Sequence, residues 1–279
     1  MAEIIKSYYN GNRPIVDTGH GVLPHTYFNL LKLNKGELAE LEVAGYETVY
    51  VVLSGNCDIE AAGCRFSGVG RRENIWSGAA DSVYVTSGAR TMVRSNADGT
   101  EIAVAGGRYD KRLPPFRILP EETVEVVVGS NETKSRRRIV HILGTNTKGR
   151  TGNLLVSELY ADEGCWAGYP PHKHDEERYP EETAFEELYY NRFQPENGFG
   201  VQIVFHDDET SQCFLVRHGD TCLIDGGYHP MATSPGHAQY VFTILVGKHR
   251  NSLIQYFHED YRRLMDVIPG LSDMRAKFR

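Results

Sequence analysis

Apolar and polar residues along this chain follow the short alternating runs of strands far more often than the spacing of amphipathic helices. Runs rich in Val, Ile, Tyr and Thr recur roughly every eight to twelve residues, and Gly, Asn and Asp separate them. This spacing is typical of an all-β sandwich or barrel. The predicted strands are 48–53, 82–86, 91–95, 101–105, 123–128, 154–160, 188–193, 200–205, 212–217, 221–224 and 239–246.

The chain divides into two halves that weakly repeat one plan. In each half a pair of strands with a glycine turn precedes a short strand, a turn and a further strand. Polar, glycine-bearing segments between residues 129 and 150 mark the boundary. We therefore predict an N-terminal barrel over residues 1–135 and a second barrel over 136–248. The tail, 249–279, is predicted to be partly helical, because apolar residues recur at helical spacing between 253 and 267.

Composition narrows the class of protein without changing this fold. The 279 residues are 41% hydrophobic and 24% charged, which is ordinary for a globular protein. A net charge of −7 gives no electrostatic reason to bind nucleic acid or an anionic membrane. The odd number of cysteines, the absence of a CxxC pair and the lack of an apolar leader predict a reduced, cytoplasmic protein. The one basic cluster, KSRRR at 134–138, is interpreted as a solvated strand edge or loop, since acidic residues flank it.

The strongest local signal for chemistry is the segment GYPPHKHD at 168–175. The two prolines favour an extended chain, and on an extended chain side chains alternate between faces. His172 and His174 should therefore point to one side and Lys173 to the other. Two imidazoles in this arrangement can share one metal ion.

Two later segments can complete the ligand set. Glu186 and Glu187 open a strand, and a glycine turn at 226–227 precedes His229. Each of these residues alone has an ordinary explanation, as a turn cap or as part of an acidic surface, but the combination favours a metal site. Three histidines and one carboxylate suit Zn, Mn, Fe or Ni, and leave one or two positions open for substrate or water. HxH, a later Glu and then GYH, in this order, is the pattern of a cupin barrel.

The motifs resemble those of the 5-deoxy-glucuronate isomerase family of inositol catabolism, which is related to the 4-deoxy-L-threo-5-hexosulose-uronate ketol-isomerases. The resemblance rests on YPPHKHD at 169–175, EELYY at 186–190, NGFG at 197–200 and GGYHP at 226–230. It implies a bicupin, with two jelly-roll barrels in one chain, and one divalent metal, zinc first, held by His172, His174, Glu187 and His229. The first barrel is expected to lack a metal of its own.

The implied activity is aldose–ketose isomerisation of a small sugar acid, giving 5-dehydro-2-deoxygluconate from 5-deoxy-glucuronate. Such a reaction needs a polarised carbonyl and a base that moves a proton between adjacent carbons. The candidates for the base are Glu176, Glu177 and His206, among which the residues do not choose. The candidates for substrate contacts are Gln202, Tyr228 and Arg192. The insertion between His174 and Glu186 can form a lid at the barrel mouth.

Two other functions stay open at this point. Iron-dependent dioxygenases of the cupin class use much the same ligands, so the ligand set alone does not exclude oxygen chemistry. A sugar-sensing cupin is a non-catalytic alternative, but its usual companion, a helix-turn-helix domain, has no counterpart here. Barrel edges that need to be covered predict a homo-oligomer.

Overall fold

The computed structural model describes residues 2–277, and these residues form two β-barrels with little helix. The predicted all-β class is confirmed. Every strand run predicted from the sequence overlaps a strand of the structure, because β-branched and aromatic residues pack well on a pleated, half-buried surface. No helix within residues 2–277 is long and apolar enough to cross a membrane.

The first barrel consists of two antiparallel sheets. The strands between residues 2 and 118 are β1 (Glu3–Ile5), β2 (Pro14–Val16), β3 (Thr26–Leu33), β4 (Leu38–Leu41), β5 (Tyr46–Ser54), β6 (Cys57–Ala61), β7 (Cys64–Val69), β8 (Ser82–Val85), β9 (Thr91–Ser95), β10 (Thr100–Arg108) and β11 (Phe116–Ile118), and all but β1 belong to this barrel. Six strands form one sheet in the order β11-β8-β5-β10-β3-β2, and four form the other in the order β4-β9-β6-β7. Their inner faces enclose one of the three hydrophobic clusters.

The second barrel is larger and receives the rest of the chain. Its strands are β12 (Val124–Val128), β13 (Arg137–Leu143), β14 (Leu154–Ala161), β15 (Trp166–Ala167), β16 (His172–Lys173), β17 (Phe185–Gln194), β18 (Phe199–Phe205), β19 (Ser211–Arg217), β20 (Thr221–Ile224), β21 (Met231–Thr233), β22 (Ala238–Gly247) and β23 (Tyr256–Phe257). The main sheet has the order β1-β20-β17-β22-β14-β13-β12, and β15-β21-β18-β19 and β16-β23 form two smaller sheets. Short 3-10 helices span Pro120–Glu122, Thr145–Thr147 and Glu259–Asp266, and α1 spans Leu271–Lys277.

Two strands cross the boundary that we placed at residue 135. The N-terminal β1 pairs with β20 of the second barrel, and β12 forms a hairpin with β13. The polar segment that suggested a linker therefore contains a hairpin turn, in which Gly129 has a φ of 77° and lies directly against Ser135. A turn and a linker share the same polar, glycine-bearing composition, and for this reason the sequence does not distinguish them.

The tail contains less regular helix than the spacing of its apolar residues predicts. Residues 256–257 form β23, which pairs with β16, and only 259–266 and 271–277 are helical. The apolar residues bury against the second barrel, among them Leu253, Phe257 and Met274. Strand pairing with the HxH segment thus replaces the first turn of the expected helix.

The two large sheets face each other and bury the largest hydrophobic cluster between the barrels. Strand β17 shows how this arrangement divides its side chains. Leu188 and Tyr190 face the first barrel, where the Tyr190 ring lies 5.4 Å from that of Phe28, whereas Glu187 and Tyr189 face the interior of the second barrel. Because both faces are covered, residues 185–191 of this strand are all buried, and the polar Glu186, Glu187 and Asn191 are among them.

Candidate metal centre

The HxH segment is extended, and its side chains alternate as predicted. His172 and His174 both lie inside the second barrel, with ring centroids 6.3 Å apart. Lys173 points the other way, where its ammonium group is 2.9 Å from carboxylate oxygens of both Asp175 and Glu176. The pairing of β16 with β23 holds this short segment straight.

Glu187 lies on β17 and His229 lies in the turn before β21, and both side chains approach His174. The Glu187 Oε2 atom lies 2.9 Å from Nε2 of His174 and 3.0 Å from Nε2 of His229. The potential ligand atoms of these three residues all lie within 4.8 Å of one another, and all three side chains are buried. Within residues 2–277 they are the only group of three or more such residues this close together.

The turn before His229 is fastened to the HxH segment. Asp175, the residue after His174, accepts a hydrogen bond of 2.7 Å from the backbone N–H of Gly227. Gly227 has a φ of 84°, a conformation that glycine adopts without strain, and a β-carbon there would collide with the His206 ring. Burial raises the pKa of Asp175, but its bonds to Gly227 and Lys173 outweigh burial and lower it to about 2. The carboxylate is therefore ionised and can hold the turn.

Each of the three histidines presents the same ring nitrogen to the site. The Nδ1 atoms of His172 and His229 lie 3.0 and 2.8 Å from the backbone carbonyls of Pro170 and Gly227, and that of His174 lies 3.4 Å from the carbonyl of Phe185. A carbonyl oxygen only accepts, so Nδ1 carries the proton and Nε2 keeps its lone pair. This backbone arrangement is the one that orients histidines bound to metals.

The electrostatics of the site favour an ionised Glu187 carboxylate and shift the pKa values of His172 and His174 in opposite directions. Burial opposes charge on Glu187, but its close contacts with the His174 and His229 rings outweigh burial and lower the pKa of its carboxyl group well below the usual value. Burial and the neighbouring rings of His229 and His174 lower the pKa of His172. Burial alone would also lower the pKa of His174, but the neighbouring Glu187 carboxylate outweighs burial and raises it.

His172 differs from the other predicted ligands in one contact. Its ring lies 5.1 Å from that of His229, but its Nε2 atom is 2.9 Å from the side-chain amide nitrogen of Gln255 in the tail. The Phe257 ring packs against the same imidazole at 5.3 Å. The tail therefore covers the histidine that completes the predicted set.

The predicted bases lie outside the cavity that His172, His174 and Glu187 line. Glu176 is bound to Lys173 and Arg178, and Glu177 pairs with Arg250 at 2.6 Å. His206 lies in a turn, where its ring is next to Gly227. The two glutamates on the insertion therefore neutralise basic side chains that hold the loop.

The predicted substrate contacts are engaged within the protein. The Gln202 side-chain amide donates to the carbonyl of His229 at 3.0 Å. Tyr228 stacks on Phe205 with ring centroids 5.2 Å apart, and burial, together with Asp207, raises the pKa of its hydroxyl. Arg192 forms an ion pair with Glu101 of the first barrel at 2.6 Å.

The cavity beside the histidines is lined mainly by residues that we did not predict. They come from alternate positions of neighbouring strands and from the tail: Arg137, Ile139, Ser157, Leu159, Gly168, Tyr189, Thr243, Leu245, Leu253, Gln255 and Met274. Strict alternation from Glu187 would have placed Tyr189 on the same face. The contributions of the tail have no signal in the sequence.

Comparison with known proteins gives consistent similarities over most of the chain. The family model described as KduI/IolB matches residues 5–264. A 5-deoxy-glucuronate isomerase from Geobacillus thermodenitrificans is 34% identical over 226 residues, 79% of each chain. One from Listeria monocytogenes is 28% identical over 247 residues, 88% of each chain.

Solved structures agree on the architecture. An IolB-like protein from Salmonella typhimurium superposes with a TM-score of 0.81 at 29% identity, covering 86% of this chain and 90% of the other. An oxalate decarboxylase from Bacillus subtilis gives a TM-score of 0.58 at 13% identity, over 91% and 78% of the two chains. The second similarity concerns the fold alone, and together they confirm the two-barrel architecture.

Proposed function

Because the chain belongs to the KduI/IolB family, we propose that it is an aldose–ketose isomerase that converts 5-deoxy-glucuronate into 5-dehydro-2-deoxygluconate. The observation that carries the proposal is the convergence of His174, Glu187 and His229 inside the second barrel. Curated relatives that share most of this chain's length are named for this isomerisation. The activity therefore has both a site and a set of relatives in its favour.

The proposed cofactor is one divalent transition metal, held by His172, His174, Glu187 and His229. The donor set of imidazole nitrogens and one carboxylate suits zinc first, with manganese, iron and nickel as the other choices. The residues fit such an ion, because the Nε2 atoms of His174 and His229 lie beside the Glu187 carboxylate and the Nδ1 atoms of all three histidines are bound to backbone carbonyls. When bound, the metal polarises the sugar carbonyl as a Lewis acid.

The side chains around the site orient the substrate and control its protons. Tyr189 is fully buried, and burial, the charge of Glu187 and a hydrogen bond to it raise the pKa of the Tyr189 hydroxyl. The hydroxyl thus keeps its proton and donates it to Glu187, and its oxygen can accept a hydrogen bond from a substrate hydroxyl. Glu176, Glu177 and His206 stay candidates for the base; each would have to approach the cavity from the insertion or the adjoining turn.

The test combines metal analysis with an assay that controls oxygen. Wild type, His172→Ala/His174→Ala and the exposed control His249→Ala are purified, analysed for metals and assayed on 5-deoxy-glucuronate both without oxygen and in air. We expect near-stoichiometric metal and turnover in wild type and in the control, and neither in the double variant. If wild type contains metal but does not isomerise this sugar, the metal-site assignment is supported and the substrate assignment is wrong. Turnover that requires oxygen and iron would indicate the dioxygenase instead.

We also propose that the protein is a cytoplasmic homo-oligomer. The five cysteines are all free, which suits a reducing compartment. The outer strands of the sheets, such as β7 and β19, carry exposed edges that a second copy can cover. Light scattering on the purified protein measures the mass: a mass of 31.4 kDa would contradict the oligomer.

A further inference from the structure

Arg137 is a buried cation inside the second barrel. It is the first residue of β13, and only 2% of its surface is exposed. Its guanidinium forms no ion pair with a carboxylate of residues 2–277. Two of its N–H groups donate to the carbonyls of Ser135 and Tyr169, both at 2.9 Å. Burying a charge without a counter-ion is costly, and here burial lowers the pKa of the guanidinium to about 10.

Arg137 lines the same cavity as His172, His174 and Glu187. A guanidinium has five N–H groups in a planar fork, so donors remain after the two backbone bonds. Two other cationic side chains of the second barrel are neutralised elsewhere. Lys173 is held by Asp175 and Glu176 outside the cavity, and Arg192 is held by Glu101 between the barrels.

Hydroxyl groups lie between the two ends of this cavity. Tyr189 is paired with Thr243 across the sheet, and Thr243 is paired with Ser157 on the next strand. All three line the cavity, so their hydroxyls form a row across three strands. Such a row can form hydrogen bonds with the hydroxyl groups of a single sugar acid whose carbon chain extends away from the histidines.

We infer that Arg137 binds the carboxylate of the sugar-acid substrate, while the carbonyl end lies at His174, Glu187 and His229. The inference rests on the proposed function and adds to it the group that selects a uronate over a neutral sugar. An arginine fork can bind a carboxylate through two parallel hydrogen bonds in a site from which water is excluded. The substrate thereby supplies the counter-ion that the protein itself does not provide.

A purely structural role for Arg137 makes a different prediction. Its bonds to Ser135 and Tyr169 fasten two loops, and a neutral donor can serve backbone carbonyls without a charge. A structural role would therefore affect every ligand equally, whereas a carboxylate-binding role affects charged ligands alone. The variants Arg137→Gln, which keeps a donor, and Arg137→Lys, which keeps the charge, separate the two.

The experiment measures kcat and KM for 5-deoxy-glucuronate and for 5-deoxy-glucose, in which a hydroxymethyl group replaces the carboxylate. Metal content and melting temperature are measured on each variant. We expect Arg137→Gln to lower kcat/KM for the uronate about 100-fold or more, and that for the neutral sugar less than about threefold. Arg137→Lys should recover part of the loss on the uronate. Equal losses on both sugars would overturn the inference and leave the isomerase assignment intact.

A binding measurement distinguishes failure of the inference from failure of the proposed function. Calorimetry compares D-glucuronate with D-glucose on wild type and on Arg137→Gln. Suppose that wild type isomerises neither of the two 5-deoxy sugars but binds glucuronate more tightly than glucose, and that Arg137→Gln loses this difference in affinity. The isomerase assignment then fails and the carboxylate site stands. If wild type shows no preference for glucuronate, the carboxylate site fails.

Discussion

Glu186 and Glu187 are adjacent on β17, yet their carboxylates lie on opposite faces of the seven-stranded sheet. Glu187 faces His174 and His229 inside the second barrel. Glu186 faces the first barrel, where it accepts from the His25 backbone at 3.0 Å and from the Thr26 hydroxyl at 2.9 Å. One carboxylate thus belongs to the candidate metal centre and the other to the contact between the barrels.

Substituting these neighbours separately should separate metal binding from packing. We expect Glu187→Gln to lose the metal and the activity, because it removes the only carboxylate of the proposed ligand set. Glu186→Gln should keep a full complement of metal and lower the free energy of unfolding by roughly 1–3 kcal/mol. Elemental analysis and urea unfolding measure the two effects. Loss of metal from Glu186→Gln would show that the two carboxylates were assigned the wrong way round.

Gln202 is expected to act on the metal indirectly, through the backbone of His229. Its amide donates to the carbonyls of His229 and Pro230 at 3.0 and 3.3 Å. Replacing it with leucine leaves those carbonyls without this donor and lets His229 shift. We expect Gln202→Leu to weaken metal affinity about 10- to 100-fold, as substitutions behind metal ligands do. Competition with a chelator measures the affinity, and Gln194→Leu, at an exposed position of β17, is the matched control.

Alternation along strands explains both the success and the main omission of the sequence analysis. Period two placed His172 and His174 on one face, and these segments fold locally as strands. The same rule, applied to KSRRR, separates Arg137 from its neighbours. Arg136 and Arg138 are partly exposed and pair with Asp162 and Glu125, as a solvated edge would, while Arg137 points inward. Treating the cluster as one unit concealed this difference.

The tail could not be predicted in the same way, because its structure depends on distant partners. The apolar spacing from Leu253 to Leu264 fits a helix, but residues 256–257 pair with His172 and Lys173 instead. Gln255 and Met274 reach the cavity only because of this docking. Tertiary contacts of this kind override local propensity and leave no periodic pattern.

The buried ion pair of Arg72 and Glu158 should make removal of one partner cost more stability than removal of both. Arg72 reaches from the first barrel to Glu158 on β14 with bonds of 2.9 and 2.6 Å, and Tyr240 donates to the same carboxylate at 2.8 Å. We expect Arg72→Met to destabilise the protein by about 3–5 kcal/mol, since it leaves a buried carboxylate unpaired. Arg72→Met/Glu158→Leu should recover part of that loss in urea unfolding. A double variant that is less stable than Arg72→Met would contradict this account.

A second ion pair between the barrels should make stability depend on pH in the acid range. Burial raises the pKa of Glu101, but Arg192 outweighs burial and lowers it below the ordinary value. A carboxyl whose pKa is lowered by folding stabilises the protein above its unfolded pKa, about 4.3, and loses this contribution as the pH falls through the folded value. We expect Glu101→Gln to cost roughly 3 kcal/mol at pH 7, and the gap to wild type to narrow below about pH 4. Urea unfolding at pH 7, 4 and 3 measures the gap, and a constant gap would contradict the role of the charge.

Gln255 is expected to compete with the metal for His172. Its amide nitrogen lies 2.9 Å from the Nε2 atom of His172, and a ring nitrogen that accepts this hydrogen bond cannot bind a metal at the same time. Removing the donor in Gln255→Leu should therefore tighten metal binding by about threefold to tenfold, the equivalent of one hydrogen bond of about 1 kcal/mol. Chelator competition measures the change, with Gln194→Leu again as the control.

The same competition decides whether His172 is a ligand at all. In the His172→Ala background, Gln255→Leu should have no effect on metal affinity, because the nitrogen that both partners share has gone. An effect of Gln255→Leu that persists without His172 would mean that the tail acts on the site by another route. If neither substitution changes metal affinity, the ion is held by His174, Glu187 and His229 alone, and the structure already contains these three as a compact group. The fourth coordination position would then belong to solvent or substrate, and the tail would cover the substrate side of the site.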